Sequence, residues 1–320
     1  MIRKLDEMRL SAELAALEAV LAELDETDYL TRVGLESRGT ELRDNLARLR
    51  LREEAQVRVA LFFGGGPVVG SEGVNARFAS DAVGSFQDIL TNVWGSGQER
   101  RVAETGPIRN QELSQLHITQ LLHGSLGFLL EELDAYGEPL FESALKGAAD
   151  QVARMIDAFA DEDDTKFAAV IEELNPRVFK SISKFLRCVH TDNATFRLVE
   201  GNSDLSVDRE GVERAWRRPE QSRVDEERIA MSGRLLGVIP IHRRFEFQPD
   251  GSPLISGTVG EDFSQSYLER MTTEQFAGRR WRGLFHRKLV ERVGRPLQHR
   301  YTLLRLDEEA NEPTAPVSEP

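Results

Sequence analysis

Between residues 228 and 306 the period of apolar and polar side chains changes in an order that few folds accommodate. Three runs with strand character come first, at 228–238 (RIAMSGRLLGV), 243–248 and 254–259 (LISGTV). Gln248-Pro249-Asp250-Gly251-Ser252 separates the second from the third. Pro-Asp-Gly between apolar alternations is a hairpin signal, because proline presets the turn and glycine tolerates positive φ. A helical stretch follows at 262–276, with Phe263, Tyr267, Met271 and Phe276 recurring on roughly one face. Two further strands, 281–292 and 298–306, join through Gly294-Arg295-Pro296.

Strand-strand-strand-helix-strand-strand is the order of a small five-stranded Greek-key barrel of the OB type. An SH3-like barrel gives a similar string. The expected fold class is therefore α+β: an N-terminal helical hairpin, a central antiparallel sheet with helices, and a C-terminal five-stranded OB- or SH3-like β-barrel. The expected domains are a helical hairpin or coiled coil over 1–55, an α+β body with an acidic helical segment over 56–192, a barrel domain over 193–306 with a polar linker at 219–227, and a disordered acidic tail over 307–320.

The last part of the barrel stretch is basic. From Arg279 to Leu306 nine Lys or Arg stand against the single acid Glu291, a net of +8, with Trp281, Phe285, His286, His299 and Tyr301 interleaved. Guanidinium groups pair with phosphates, and bases stack on rings at ~1–3 kcal/mol each, so rings among cations suit a single-stranded nucleic acid. The candidate partner- or nucleic-acid-binding residues are Arg279, Arg280, Trp281, Arg282, Arg287, Lys288, Arg300 and Tyr301. The competing reading is structural: strand alternation sends Trp281, Phe285 and Leu289 inward as core and leaves arginine outside. Arginine outnumbers lysine 35 to 6 in the chain, so it serves as the general surface cation.

The N-terminal segment carries a second pattern. Leu10, Leu14, Leu17, Leu21 and Leu24 are spaced 4, 3, 4, 3, the apolar seam of a heptad helix. After Asp25-Glu26-Thr27-Asp28 a second periodic run reaches about Glu54, with Leu35, Leu42, Leu46 and Leu49 apolar and Gly34 and Gly39 weakening its first half. Two helices with a short link make an αα-hairpin, whose seam is buried against a second copy or the rest of the chain. The first option makes the five leucines an oligomerisation seam and the protein a dimer.

Residues 57–63 (VRVALFF) read as a buried strand running into a glycine-rich loop, Gly64 to Gly73, and then a helix capped by Asn75 with Phe78, Ala82, Phe86, Leu90 and Val93 on one face. Strand, glycine loop and helix N-terminus together can hold a phosphate. The loop lacks the Lys-Ser/Thr of a P-loop and the spacing of G-x-G-x-x-G, and Glu72 repels an anion. The better reading makes Gly64–Gly66 a turn and 67–69 the return strand of a hairpin. Short strands are expected at 101–104, 116–122 and 126–130, helices from Pro139 to Ala160, around Phe167, Val170, Ile171 and Leu174, and from Pro176 to His190, and short strands again at 194–199 and 205–207.

His117 and His123, near Glu131, Glu132 and Asp134, lack the spacing of a metal signature. Asp161-Glu162-Asp163-Asp164 lacks the alternating ligands and central glycine of a calcium loop and reads as helix-cap material. Cys188 and His190 are two apart and face different ways on a helix, against a nucleophile-base pair. No GxSxG, HExxH, CxxC or P-loop occurs, and no cofactor or metal is expected.

The net charge of −13 opposes non-specific duplex binding by the whole chain, yet it is unevenly distributed: residues 131–173 alone hold 13 acids against three bases. The single cysteine excludes an intramolecular disulfide and points to a reducing compartment. The opening MIRKLDEMRL mixes charges where a secretory signal needs an apolar core, and no run approaches the ~20 apolar residues of a membrane span. A cytoplasmic location is expected. These readings favour a non-enzymatic binding or assembly protein that self-associates and recognises a protein partner. Single-stranded nucleic-acid binding is the alternative, and an enzyme acting on a phosphorylated ligand at the Gly64–Gly73 loop the third.

Overall fold

The computed structural model describes residues 2–24, 28–51, 55–98, 106–122, 126–133, 143–272 and 276–308. It mixes helices and strands and divides into two compact units, Met1–Glu220 and Gln221–Pro320.

In the first unit, α1 (Arg3–Glu23) and α2 (Tyr29–Leu51) precede β1 (Arg58–Gly65), β2 (Val68–Val69), β3 (Gly73–Val74) and α3 (Ala76–Gln98). There follow β4 (His117–Leu122), β5 (Gly127–Glu131), α4 (Ala144–Ala160), α5 (Asp164–Glu173), α6 (Pro176–Thr191), β6 (Ala194–Glu200), β7 (Ser203–Val207) and α7 (Arg209–Glu220). Five strands form a sheet in the order β4-β5-β1-β6-β7, antiparallel at every pairing.

The central strand β1 is buried at Val59, Ala60, Leu61, Phe62 and Phe63 without alternation, because both faces of the sheet are covered. On one face Phe63 meets Phe78 of α3 edge-on at 5.0 Å, and Phe196 of β6 meets Phe185 of α6 at 5.3 Å. On the other, Ala60, Phe62, Leu129 and Val199 pack with Ile2, and Leu5 of α1 joins them. The helices start where the sequence supplies side-chain acceptors: Asn75, Ser143, Asp163 and Asn175 each accept a backbone N–H of the first turn. Arg218 of α7 donates to the carbonyls of Ala158 and Phe159, satisfying the open end of α4.

The N-terminal helices form an antiparallel pair within one chain. Ion pairs Glu7–Arg50, Glu13–Arg38 and Glu18–Arg43, at 2.8, 2.9 and 2.7 Å, join them along their length. The end bearing Ile2, Leu42 and Leu46 is buried, and the opposite end exposes Val20, Tyr29, Leu30 and Val33.

Four expectations need correcting. Residues 67–69 do not return along β1: β2 pairs with β3, and β1 takes β5 and β6 as neighbours. The strands at 194–200 and 203–207 extend the first unit's sheet, so the second unit begins at Gln221 and not at 193. Residues 219–227 are no linker, since they end α7 and begin the next strand. The expected tail also begins too early, since Asp307 and Glu308 still belong to the last strand. The expected strand at 101–104, the Pro139 helix start, His123 and residues 309–320 of the tail lie outside the described residues.

The second unit contains β8 (Ser222–Ile239), β9 (Arg244–Pro249), β10 (Ile255–Val259), α8 (Gln265–Met271), β11 (Arg280–Arg292) and β12 (Gln298–Glu308). The helix is shorter than the expected 262–276. Strand pairings close on themselves in the order β10-β12-β11-β8-β9, with β10 and β12 parallel and the other neighbours antiparallel. Leu235, Phe245, Phe247, Phe285 and Leu303 fill the interior together with Leu268 and Met271 of α8. At the parallel closure Gly257 faces Tyr301, and a Cβ there would lie 2.0 Å from the Tyr301 carbonyl oxygen. Glycine is what lets the two backbones approach.

Candidate partner-binding site

Strand alternation divides the expected binding residues between two sides of the closed sheet. Trp281 and Phe285 point inward with Gly283, whereas Arg280, Arg282 and His286 alternate with them. Trp281 is 5 % exposed, its ring stacks on Phe276 at 5.1 Å, and its indole N–H donates to the Phe276 carbonyl at 3.0 Å. It is therefore a core residue and offers no platform to a base. Tyr301 is half-buried, packs against the same core and lies parallel to His299 at 6.3 Å.

The cations are neutralised unevenly. Arg287 donates through Nε to Glu227 at 2.6 Å, and this bond raises its already high pKa. Arg280 pairs with Asp250 at 2.5 Å, Arg305 with Asp307 at 2.7 Å, and Arg279 approaches Glu308 at 3.8 Å. Lys288 is buried, in register between Glu226 and Arg300. The acidic start of β8 thus faces part of the basic stretch, which a count over 279–306 does not reveal.

The structure also brings in residues the sequence reading passed over. Arg228 and Arg234 of β8 are exposed, and their even positions place them beside His286 and Arg280 of β11. The signal was present in RIAMSGRLLG, where apolar Ile229, Met231 and Leu235 take the odd positions.

The other candidate sites resolve into structure. Leu10, Leu14, Leu17, Leu21 and Leu24 are all half-buried, and Leu17 lies against Gly39 of α2. In the glycine loop, the N–H groups of Gly66, Glu72 and Asn75 donate to the carbonyls of Asn193, Val69 and Pro67. The Asn75 side chain caps α3, so these donors already have partners. His190 stacks on Trp216 at 4.0 Å and bonds Glu213 at 2.8 Å. Burial pushes the Cys188 thiol up to about 11. Among the described residues no group of three or more His, Cys, Asp or Glu is placed to hold a metal, and no helix is long and apolar enough to cross a membrane. The chain matches no protein-family model, no curated protein and no solved structure.

Proposed function

We propose that this is a non-enzymatic, cytoplasmic binding and assembly protein: the N-terminal helical arm joins two copies, and a C-terminal barrel of the OB type recognises a separate partner through its basic outer side. The OB reading, over an SH3-like one, rests on the helix between the third and fourth strands, which plugs the interior, and on parallel pairing of the third with the fifth strand.

The observation that carries self-association is the free end of the arm, where Tyr29 is 69 % and Leu30 85 % exposed beside Val20 and Val33. Burying such residues against a second copy removes apolar surface from water at about 25 cal/mol per Å². The charges suit a two-fold pairing. Helix α1 has three bases and five acids, a net of −2, and α2 has five bases and three acids, a net of +2. A second arm laid antiparallel brings α1 of each copy toward α2 of the other. The leucine seam of α1 continues toward this end.

Light scattering on the full chain tests the reading. A dimer that becomes monomeric on Leu30→Glu with Val33→Glu, at unchanged melting temperature, supports it; a monomeric parent protein at micromolar concentration overturns it.

Single-stranded nucleic-acid binding is less well supported, because Trp281 and Phe285 are committed to the core. The phosphorylated-ligand reading of the Gly64–Gly73 loop is weakened by the internal bonds of its N–H groups.

A further inference from the structure

Resting on the reading of the C-terminal unit as a partner-binding module, we propose that the outer face of β8, β11 and β12 binds the phosphate backbone of double-helical nucleic acid without regard to sequence. Six exposed arginines lie on this face: Arg228, Arg234, Arg280, Arg282, Arg300 and Arg305. The strand registers arrange them as a grid. Alternate residues along a strand are ~6.7 Å apart and neighbouring strands ~4.8 Å apart. A partner whose own charges repeat at short intervals matches such a grid, and a double helix carries one charge per ~1.7 Å of axis.

Two features of the grid point to an anion on it. Arg234 stands directly opposite Arg280 across the β8–β11 ladder. Like charges in directly opposed positions destabilise a sheet. An anion beside Arg234 and Arg280 converts that repulsion into attraction. Moreover, Arg228, Arg234 and Arg282 make no ion pair with any described carboxylate, whereas Arg280 and Arg305 share theirs with Asp250 and Asp307.

The chemistry of the face selects the partner. Trp281 and Phe285 are turned into the core, leaving His286 as the only ring that alternation sends outward on β11, and its Nε2 lies 3.3 Å from Glu226. Single strands need rings on which unstacked bases can rest. A double helix keeps its bases stacked and offers phosphates, which the planar guanidinium fork meets with two parallel hydrogen bonds. The chain's net charge of −13 acts against this contact over longer range, but beyond a Debye length of ~8 Å salt screens it.

The experiment is fluorescence anisotropy of the full chain with a labelled mixed-sequence duplex, titrated between about 50 and 200 mM salt. Arg228→Ala, Arg234→Ala and Arg282→Ala are combined in one variant. A second variant removes three exposed arginines of the other unit, Arg9, Arg187 and Arg217. Binding should weaken steeply with salt. The triple variant should bind at least tenfold more weakly and lose about 2.7 from the log–log salt slope, roughly 0.9 per phosphate contact. Its melting temperature should hold or rise, since Arg234 no longer opposes Arg280, and the second variant should bind as the parent does. Absence of duplex binding at the lowest salt, an unchanged slope in the triple variant, tighter binding of single strands, or equal competition by polyglutamate each overturns the proposal. The light-scattering result stands apart from all of these. Capture of an acidic protein that depends on the same arginines would preserve the partner-binding module while removing nucleic acid as its partner.

Discussion

Gly65 ends β1 with φ +81°, and a Cβ added there would lie 2.5 Å from the Asn193 carbonyl oxygen. Both the left-handed backbone and the close approach therefore require glycine. Gly65→Ala should cost about 1–3 kcal/mol, read as a lower denaturant midpoint. A stability unchanged from the parent would show that the loop relaxes freely. Asp204 tests electrostatics at the same scale. Arg197 grips its two oxygens at 2.7 Å each, and this hydrogen bonding holds the carboxyl below its ordinary value. A depressed folded-state pKa contributes stability that is complete above the unfolded value near ~3.9 and is lost as pH falls through the lower folded value. Asp204→Asn should accordingly flatten the acid limb of the stability profile below about pH 4. Because both groups are partly exposed, the loss near neutrality should stay within roughly 0.2–1 kcal/mol. Chemical unfolding at a series of pH values reads both effects, and an acid limb identical in the two proteins would discount the pair.

At the scale of elements, local pattern carried more information than neighbourhood. The heptad leucines, the caps Asn75 and Asp163, and the strands of the second unit are each written in a few adjacent residues, and the structure forms them there. Which strand lies beside which is not local. Residues 194–200 have strand character in any context, and only a partner more than a hundred residues away, β1, assigns them to the first sheet. The same holds for 67–69, where a short apolar run after glycines looks like a returning strand until β5 and β6 occupy both edges of β1. Of the candidate binding residues, alternation correctly separates Trp281 from Arg280 and Arg282 once a strand is granted. Some of the cations find their acids on β8, about sixty residues upstream, where Glu227 meets Arg287 and Glu226 faces Lys288. Counting charge along the chain counts ladders that are not yet paired.

For the whole molecule, the division at Gln221 has an energetic meaning. The cluster formed by Leu235, Phe245, Phe247, Leu268, Phe285 and Leu303 lies wholly within the second unit, as do all five of its ladders. Residues 221–308 expressed alone should therefore unfold cooperatively and retain near-ultraviolet dichroism from buried Trp281. A fragment without a thermal transition would show that this core depends on the remaining chain.

Ile2 rests on Ala60, Phe62, Leu129 and Val199, so the seat of the arm is completed by a strand made almost two hundred residues later. At a synthesis rate of ~5–20 residues per second, the arm leaves the ribosome roughly 10–40 s before that seat exists. Until then Ile2 has no finished surface to rest on, and the helix pair is held by its own contacts, the ion pairs Glu7–Arg50, Glu13–Arg38 and Glu18–Arg43 among them.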